Sequence, residues 1–155
     1  MATNESVRVF IRFRPFNKSE RKKASSMEPW KTLQDTDPGI KMKHENNELS
    51  LYNIQEHGSN FSFKKKKEKF YFDSLMDDKT TQTQAFEKVA QQICDEILQG
   101  YNGTIFVYGQ SGSGKTHTMY GPEDKKDSED IEEMGIIPQS CAYIFNILNN
   151  KDHPL

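Results

Sequence analysis

The residues best suited to chemistry form one glycine-rich run, Gly109-Gln110-Ser111-Gly112-Ser113-Gly114-Lys115-Thr116. The run fits G-x-x-x-x-G-K-[ST] at every fixed position, which is the pattern of a phosphate-binding loop. Glycines let backbone N–H groups turn inward and approach a phosphate closely, and the start of a following helix also favours an anion. Lys115 supplies positive charge to the terminal phosphates, and the Thr116 hydroxyl can ligate Mg²⁺. The motif therefore predicts a site for a nucleoside triphosphate.

The segments on either side of the loop bear on this interpretation. Thr104–Tyr108 is a run of β-branched and aromatic residues, which predicts a fully buried strand. Lys115–Tyr120, which follows the loop, is predicted to be helical. A flexible glycine–serine linker is not expected directly between a core strand and a helix, so the context favours phosphate binding.

The loop alone does not identify the base. The guanine signature Asn-Lys-x-Asp is absent, because Asn17–Glu20 ends in glutamate and Asn150–Asp152 has the wrong spacing. Phe70–Asp73 is predicted to be a buried strand, and it looks like the strand that carries a magnesium-side aspartate. That aspartate usually follows the phosphate loop in sequence, so we interpret Asp73 as a structural residue at a strand end.

Composition excludes several classes of protein. The chain has 155 residues, enough for one domain, and a net charge of −2 that does not suggest a nucleic-acid binder. Apolar residues make up 34%, which predicts a thin core. No apolar run approaches the ~20 residues that span a bilayer, and the N-terminus lacks a signal-peptide apolar region. Cys94 and Cys141 form neither a disulfide framework nor a zinc site, which favours a reducing, intracellular compartment.

Strand patterns are found in the first half of the chain. Val7–Phe13 alternates apolar residues with arginines and predicts a strand that Pro15 ends. Leu49–Tyr52 predicts a short strand, whereas residues 17–38 and 53–60 are predicted to be mostly loop.

A basic run, Lys64–Lys69, has two interpretations. It could contact an acidic polymer, or it could be the solvated end of a hairpin. The second interpretation is favoured because no aromatic residues are interleaved with the lysines.

Helix signals are found in the second half. Thr81–Gln84 matches a capping box that begins a helix, and Gly100 is expected to end it. Cys94 lies beside the apolar face of this helix and is expected to pack there. The face itself is formed by Phe86, Val89, Ala90, Ile93 and Ile97.

A second helix is predicted after Gly135, with Pro138 in its first turn. The strongly acidic block before it, Glu123–Glu133, is expected to be a solvated insertion. The apolar stripe of this helix consists of Cys141, Ile144, Phe145 and Leu148.

Several of these segments, in this order, resemble the kinesin motor domain family. Val7–Asn17 looks like its first strand with the R-x-R-P motif, and Phe70–Asp73 looks like its F-x-F-D strand. The most specific match is Gly100–Gln110, continuing through Lys115–Met119. Gly135–Pro138 matches the segment after the family's loop insertion, and the resemblance spans residues 7 to about 148.

The resemblance implies an α/β P-loop NTPase fold, with a kinesin-motor-like central β-sheet flanked by helices. It implies ATP and Mg²⁺ as cofactors, held by the loop from Gly109 to Thr116, with Thr116 as the metal ligand. It also implies that Arg12, Arg14 and Pro15 border the adenine base and that His117 stacks on it, since proline and imidazole rings offer flat or apolar surface. Microtubules would be the partner, with no nucleic acid or membrane involved, and the location would be the cytoplasm and its cytoskeleton.

The chain departs from the family pattern in its extent. Residues 1–155 are expected to form a partial motor domain, roughly the N-terminal, nucleotide-binding half. The switch I motif N-x-x-S-S-R-S-H and the switch II motif D-x-A-G-S-E are not in this sequence, and the main microtubule-binding elements are expected to be absent too.

A microtubule-stimulated ATPase motor is therefore one hypothesis, and no residue of this chain is assigned to the hydrolysis step itself. A non-catalytic nucleotide-binding or interaction protein derived from a motor is the second, and an unrelated P-loop kinase is a third.

Overall fold

The computed structural model describes residues 7–20, 22, 40–57, 62–122 and 130–150. The chain divides into two compact units, Met1–Asp77 and Asp78–Leu155. The strands are β1 (Phe10–Arg12), β2 (Ile40–Lys43), β3 (Glu48–His57), β4 (Ser62–Tyr71) and β5 (Ser74–Met76). The helices are α1 (Gln82–Val89), α2 (Gln91–Leu98), α3 (Lys115–Tyr120) and α4 (Ile136–Asn149).

The first unit contains a parallel pair of strands, β1 and β5, with Phe10 opposite Ser74. β1 is the strand predicted at Val7–Phe13, although its ladder covers only Phe10–Arg12. Asp73 joins the two strands at their start, because its amide donates to the Val9 carbonyl and its carboxylate accepts from the Val9 amide. These bonds confirm the structural interpretation of Asp73.

An antiparallel sheet in the same unit has the order β2-β3-β4. The loop prediction for residues 53–60 is wrong at 53–57, which belong to β3 and pair with β4. The basic run lies along β4 and is not confined to the hairpin end. Phe70 and Tyr71 are also in β4 but are exposed, so the prediction of a buried strand there is wrong. At residues 53–57 the ladder with β4 extends a strand whose own residue pattern is too weak to predict it.

One buried carboxylate stabilises this antiparallel sheet. Glu48 of β3 accepts hydrogen bonds from Lys69 Nζ at 3.0 Å and from the Tyr71 hydroxyl at 3.2 Å, both on β4. Ser50 Oγ donates to its other oxygen at 3.0 Å. Chiefly because of the Lys69 bond, the pKa of Glu48 is lowered to about 2. A charge on Glu48 is thus compensated although the residue is buried.

A short helical turn follows β1, where the sequence predicts mostly loop. Residues 18–20 are helical, because Asn17 Oδ1 accepts from the Glu20 amide and Glu20 Oε2 accepts from the Asn17 amide. This reciprocal pair is an N-terminal cap of the capping-box type. Residues 21 and 23–38 of the predicted loop lie outside the described residues.

The second unit is built from helices. The capping box at Thr81–Gln84 is confirmed, with Gln84 N bonded to Thr81 Oγ1 and Thr81 N bonded to Gln84 Oε1. The predicted single helix is divided at Ala90, whose φ of −109° departs from helical geometry. Gly100 follows α2 with φ +91°, as expected of a glycine after a helix.

The core of the second unit joins α1, α2 and α4. Cys94 packs in this core, as predicted, and burial raises the pKa of its thiol. The Phe86 and Tyr143 rings are 5.7 Å apart in a tilted arrangement, and the Tyr143 hydroxyl donates to Asp95 Oδ1 at 2.7 Å. The buried members of the core are Phe86, Ala90, Cys94 and Ile136, with Val89, Ile105, Met119, Tyr143 and Ile144 packed against them.

α4 confirms the helix predicted after Gly135, with Pro138 in its first turn. Of the predicted stripe only Ile144 packs against the core, whereas Cys141, Phe145 and Leu148 are exposed. Ile136 and Gln139 are the buried residues of α4. The contact face is therefore rotated from the face that apolarity alone predicts. Of the acidic block before α4, residues 131–133 form a 3₁₀ turn and 123–129 lie outside the described residues.

The prediction of a buried strand at Thr104–Tyr108 is wrong. The segment is not hydrogen-bonded into a ladder with any described strand, and Phe106 and Tyr108 are 79% and 94% exposed. Ile105 contacts the core, so one side of the segment is covered. Its residue types favour a strand, but a strand also requires a paired neighbour.

The described residues thus have α/β content, as predicted. No helix among them is long and apolar enough to cross a bilayer. The expectation that residues 1–155 form a single partial motor domain stays a prediction.

Candidate nucleotide-binding site

The glycine-rich run forms a tight loop between Thr104–Tyr108 and α3. Ser113 N donates to Gln110 O at 3.1 Å, which closes a turn. Gly112 and Gly114 have φ of +78° and +96°, in the left-handed region that residues with a Cβ rarely adopt. Glycine is therefore needed at these two positions, one fixed in the motif and one variable, for the backbone to fold as it does.

The Lys115 side chain returns to the start of the loop. Its ammonium donates to the Gly109 carbonyl at 2.9 Å and to the Gln110 carbonyl at 3.0 Å. An ammonium carries three donors, so these two bonds leave it a further donor for an anion. The positive charge is thus held at the loop without any contribution from a ligand.

Thr116 and His117 follow Lys115 on α3 and are both exposed. The first hydrogen bond of the helix runs from Thr118 N to Gly114 O at 2.9 Å. The amides of the three preceding residues have no acceptor within the helix, as at every helix start. Because α3 has only six residues, its dipole is small, and local N–H groups with Lys115 supply most of the attraction for an anion.

Two residues that the sequence analysis did not assign to the site position α3. Gln82 Nε2, at the start of α1, donates to the His117 carbonyl at 2.7 Å. At the other end of α3, Gly135 lies against the backbone of Met119 and Tyr120 so closely that a Cβ there would overlap both. The sequence signals were slight: a glutamine inside a capping box, and a glycine where a polar N-cap is commoner.

Arg12, Arg14 and Pro15 belong to the first unit, where Arg12 ends β1. Burial lowers the pKa of the half-buried Arg12 guanidinium. Arg14 and Pro15 are exposed, and Arg14 pairs with Glu20 at 2.6 Å and donates to the Pro15 carbonyl at 3.1 Å. The hydrogen bond to Glu20 raises the pKa of Arg14.

No group of three or more His, Cys, Asp or Glu side chains in the described part of the chain could hold a metal ion by itself. A magnesium ion usually takes few protein ligands and completes its shell with water and phosphate oxygens. Thr116, an exposed residue directly after Lys115, is compatible with that arrangement.

An α/β chain with a G-x-x-x-x-G-K-[ST] loop, two left-handed glycines and a lysine at the helix start has the features of a P-loop nucleotide-binding protein. A family model described as the kinesin motor domain matches residues 12–154. The chain therefore belongs to the kinesin motor domain family, and membership implies nucleotide binding.

Individual relatives agree with the family assignment. Kinesin-related protein 13 of Dictyostelium discoideum is 33% identical over 147 residues, 95% of this chain and 10% of that protein. Kinesin-like protein klp-20 of Caenorhabditis elegans is 33% identical over 149 residues, 96% of this chain and 20% of that protein. Kinesin-like protein KIF15-B of Xenopus laevis is 35% identical over 150 residues, 97% of this chain and 9% of that protein. The chain thus spans between about a tenth and a fifth of the length of these curated relatives.

Proposed function

We propose that this chain binds ATP with Mg²⁺ and serves as the nucleotide-holding part of a kinesin-like microtubule motor. The observation that carries the proposal is the ammonium of Lys115, held at the loop by the Gly109 and Gln110 carbonyls. A charge fixed beside the N–H groups of a helix start is arranged to bind phosphate before any ligand arrives. The match to the kinesin motor domain family supports the motor assignment, and microtubules in the cytoplasm are the partner and location proposed with it.

Each residue of the site has a proposed role. The backbone from Gly109 to Gly114 surrounds the phosphates, and Lys115 neutralises the charge of the terminal ones. The Thr116 hydroxyl would hold Mg²⁺, which when bound neutralises further phosphate charge. His117 is proposed to stack on the adenine ring, with Arg12, Arg14 and Pro15 bordering the base. The exposed Arg14–Glu20 pair is compatible with such a role, because an exposed ion pair is worth little and can open.

Calorimetric titration with ATP and Mg²⁺ tests the binding step. Lys115→Ala removes a charge-assisted hydrogen bond to phosphate, so affinity is expected to fall about tenfold to a hundredfold. Lys88→Ala, which removes an exposed lysine near the end of α1, is the matched control and should bind as the wild type does. Equal affinities for Lys115→Ala and the wild type would refute the proposed site, provided that both melt cooperatively.

A steady-state ATPase assay with and without microtubules tests the motor assignment. Stimulated turnover by the chain would exclude a purely nucleotide-binding role. Binding without turnover would instead support the nucleotide-holding role alone. The unrelated-kinase hypothesis is not favoured by the family match.

A further inference from the structure

The position of α3 depends on its neighbours, because no residue of this helix is buried and no side chain caps its start. Met119 is the residue of α3 that packs against the core. The residues with proposed roles, Lys115 to His117, lie in the first turn, ahead of that anchor. Some contact must therefore hold the first turn in place.

Gln82 supplies such a contact from α1. Its side chain is buried, and its Nε2 donates to the His117 carbonyl at 2.7 Å. The same carbonyl accepts the Gly121 amide at 2.9 Å, which is the last hydrogen bond of α3. Because a carbonyl only accepts, the amide nitrogen of Gln82 must face it, and this fixes the orientation of the Gln82 amide.

The same nitrogen also lies 3.4 Å from Nδ1 of the His117 ring. A side-chain amide carries two hydrogens on its nitrogen, and the carbonyl takes one of them. The second can be shared with Nδ1 only if Nδ1 is unprotonated. A neutral imidazole that accepts this second hydrogen at Nδ1 carries its own proton on Nε2.

We propose that Gln82 is a positioning residue of the nucleotide site, which holds the first turn of α3 through the His117 carbonyl and sets the His117 ring in the Nε2-protonated form. Gln82 acts through His117 and is not itself proposed to touch the nucleotide. The consequence for ATP rests on the proposed function, whereas the contact with His117 does not.

The direct test is nitrogen NMR of the imidazoles in the full chain without nucleotide, with the His117 signals assigned by their loss in His117→Gln. At a pH where the ring is neutral, the wild type should show an unprotonated Nδ1 and a protonated Nε2. A protonated Nδ1 would overturn the proposal, and this measurement needs no variant of Gln82 to fold.

Three variants separate positioning from general stability. Gln82→Leu and Gln84→Leu each remove a hydrogen bond at the start of α1, so both should lower the melting temperature. Only Gln82→Leu should shift the His117 nitrogen signals and weaken ATP binding, by about three- to tenfold. Gln82→Glu should weaken it at least as much, because a carboxylate cannot donate to the carbonyl. Identical His117 signals and affinities for the two leucine variants would refute the role of Gln82.

The outcomes distinguish this proposal from the proposed function. If Lys115→Ala leaves ATP binding unchanged but Gln82→Leu shifts the His117 signals, the nucleotide site fails and the contact with His117 stands. If Lys115→Ala abolishes binding and Gln82→Leu changes neither the signals nor the affinity, the positioning role fails and the site stands.

Discussion

The contact between the end of α3 and the start of α4 leaves no room for a side chain. A Cβ on Gly135 would meet the backbone of Met119 and Tyr120, with the Met119 carbonyl oxygen at 2.5 Å. The φ and ψ of Gly135, −77° and −174°, are angles that any residue adopts. Glycine is therefore required here by space and not by backbone conformation.

Gly135→Ala should consequently destabilise the second unit through steric overlap alone. The two backbone segments would have to separate by about 1 Å to restore ordinary contact. Overpacking of this kind costs about 1–3 kcal/mol, and no side-chain rotation can relieve it because the opposing atoms are backbone. For a unit of this size the melting temperature should fall by roughly 5–20 °C.

The displacement should also reach the loop, since α3 carries Lys115 at its other end. We expect ATP affinity to fall about tenfold, which corresponds to about 1.4 kcal/mol. Gly100→Ala is the control: φ is +91° and nothing lies within 4 Å of its Cβ position, so the change adds strain without overlap. It should lower the melting temperature but keep the wild-type affinity. Gly135→Ala with a wild-type melting temperature and affinity would refute this reasoning.

Two further predictions concern stability. Thr81→Ala should cost about 1 kcal/mol in chemical denaturation, because it removes the cap on the Gln84 amide. Thr81→Ser should keep most of that stability, and an equal loss in both variants would contradict the cap. Glu48→Gln should change the pH dependence of unfolding, since the Lys69 bond lowers the pKa of Glu48 to about 2 from its usual 4.5. Its stabilisation is present above about pH 4.5 and is lost as the pH falls towards 2, so the variant should show a flatter stability curve over that range. An unchanged slope would contradict this role of Glu48.

The parts of the fold that the sequence predicts well depend on neighbouring residues. The capping box at Thr81 and the glycine ending α2 at Gly100 each involve contacts within a few positions. The loop from Gly109 to Lys115 is similar, because its glycine angles and its lysine bonds are all local. Short patterns of this kind specify their own geometry, so they can be predicted without knowledge of the tertiary structure.

The contacts that position α3 could not be predicted in the same way. Gln82 and His117 are 35 positions apart, and nothing in a capping box indicates what its second residue will contact. Gly135 and its contacts Met119 and Tyr120 lie on opposite sides of the acidic block in the sequence, and their close approach depends on how α3 and α4 pack. Such contacts are determined by packing, which a single sequence without partners does not reveal.

The error at Thr104–Tyr108 shows what a run of apolar residues does determine. Ile105 and Val107 are partly covered, whereas Phe106 and Tyr108 are exposed, so the burial alternates with the period of an extended chain. The residue types thus specify one face of the segment against the core, and that face is observed. Burial of the second face requires a ladder on the backbone and a layer above the side chains, and both must come from other segments. A continuous apolar run therefore indicates that both faces of the segment are suited to burial. Whether both are buried depends on other segments that pair with its backbone and pack on its side chains.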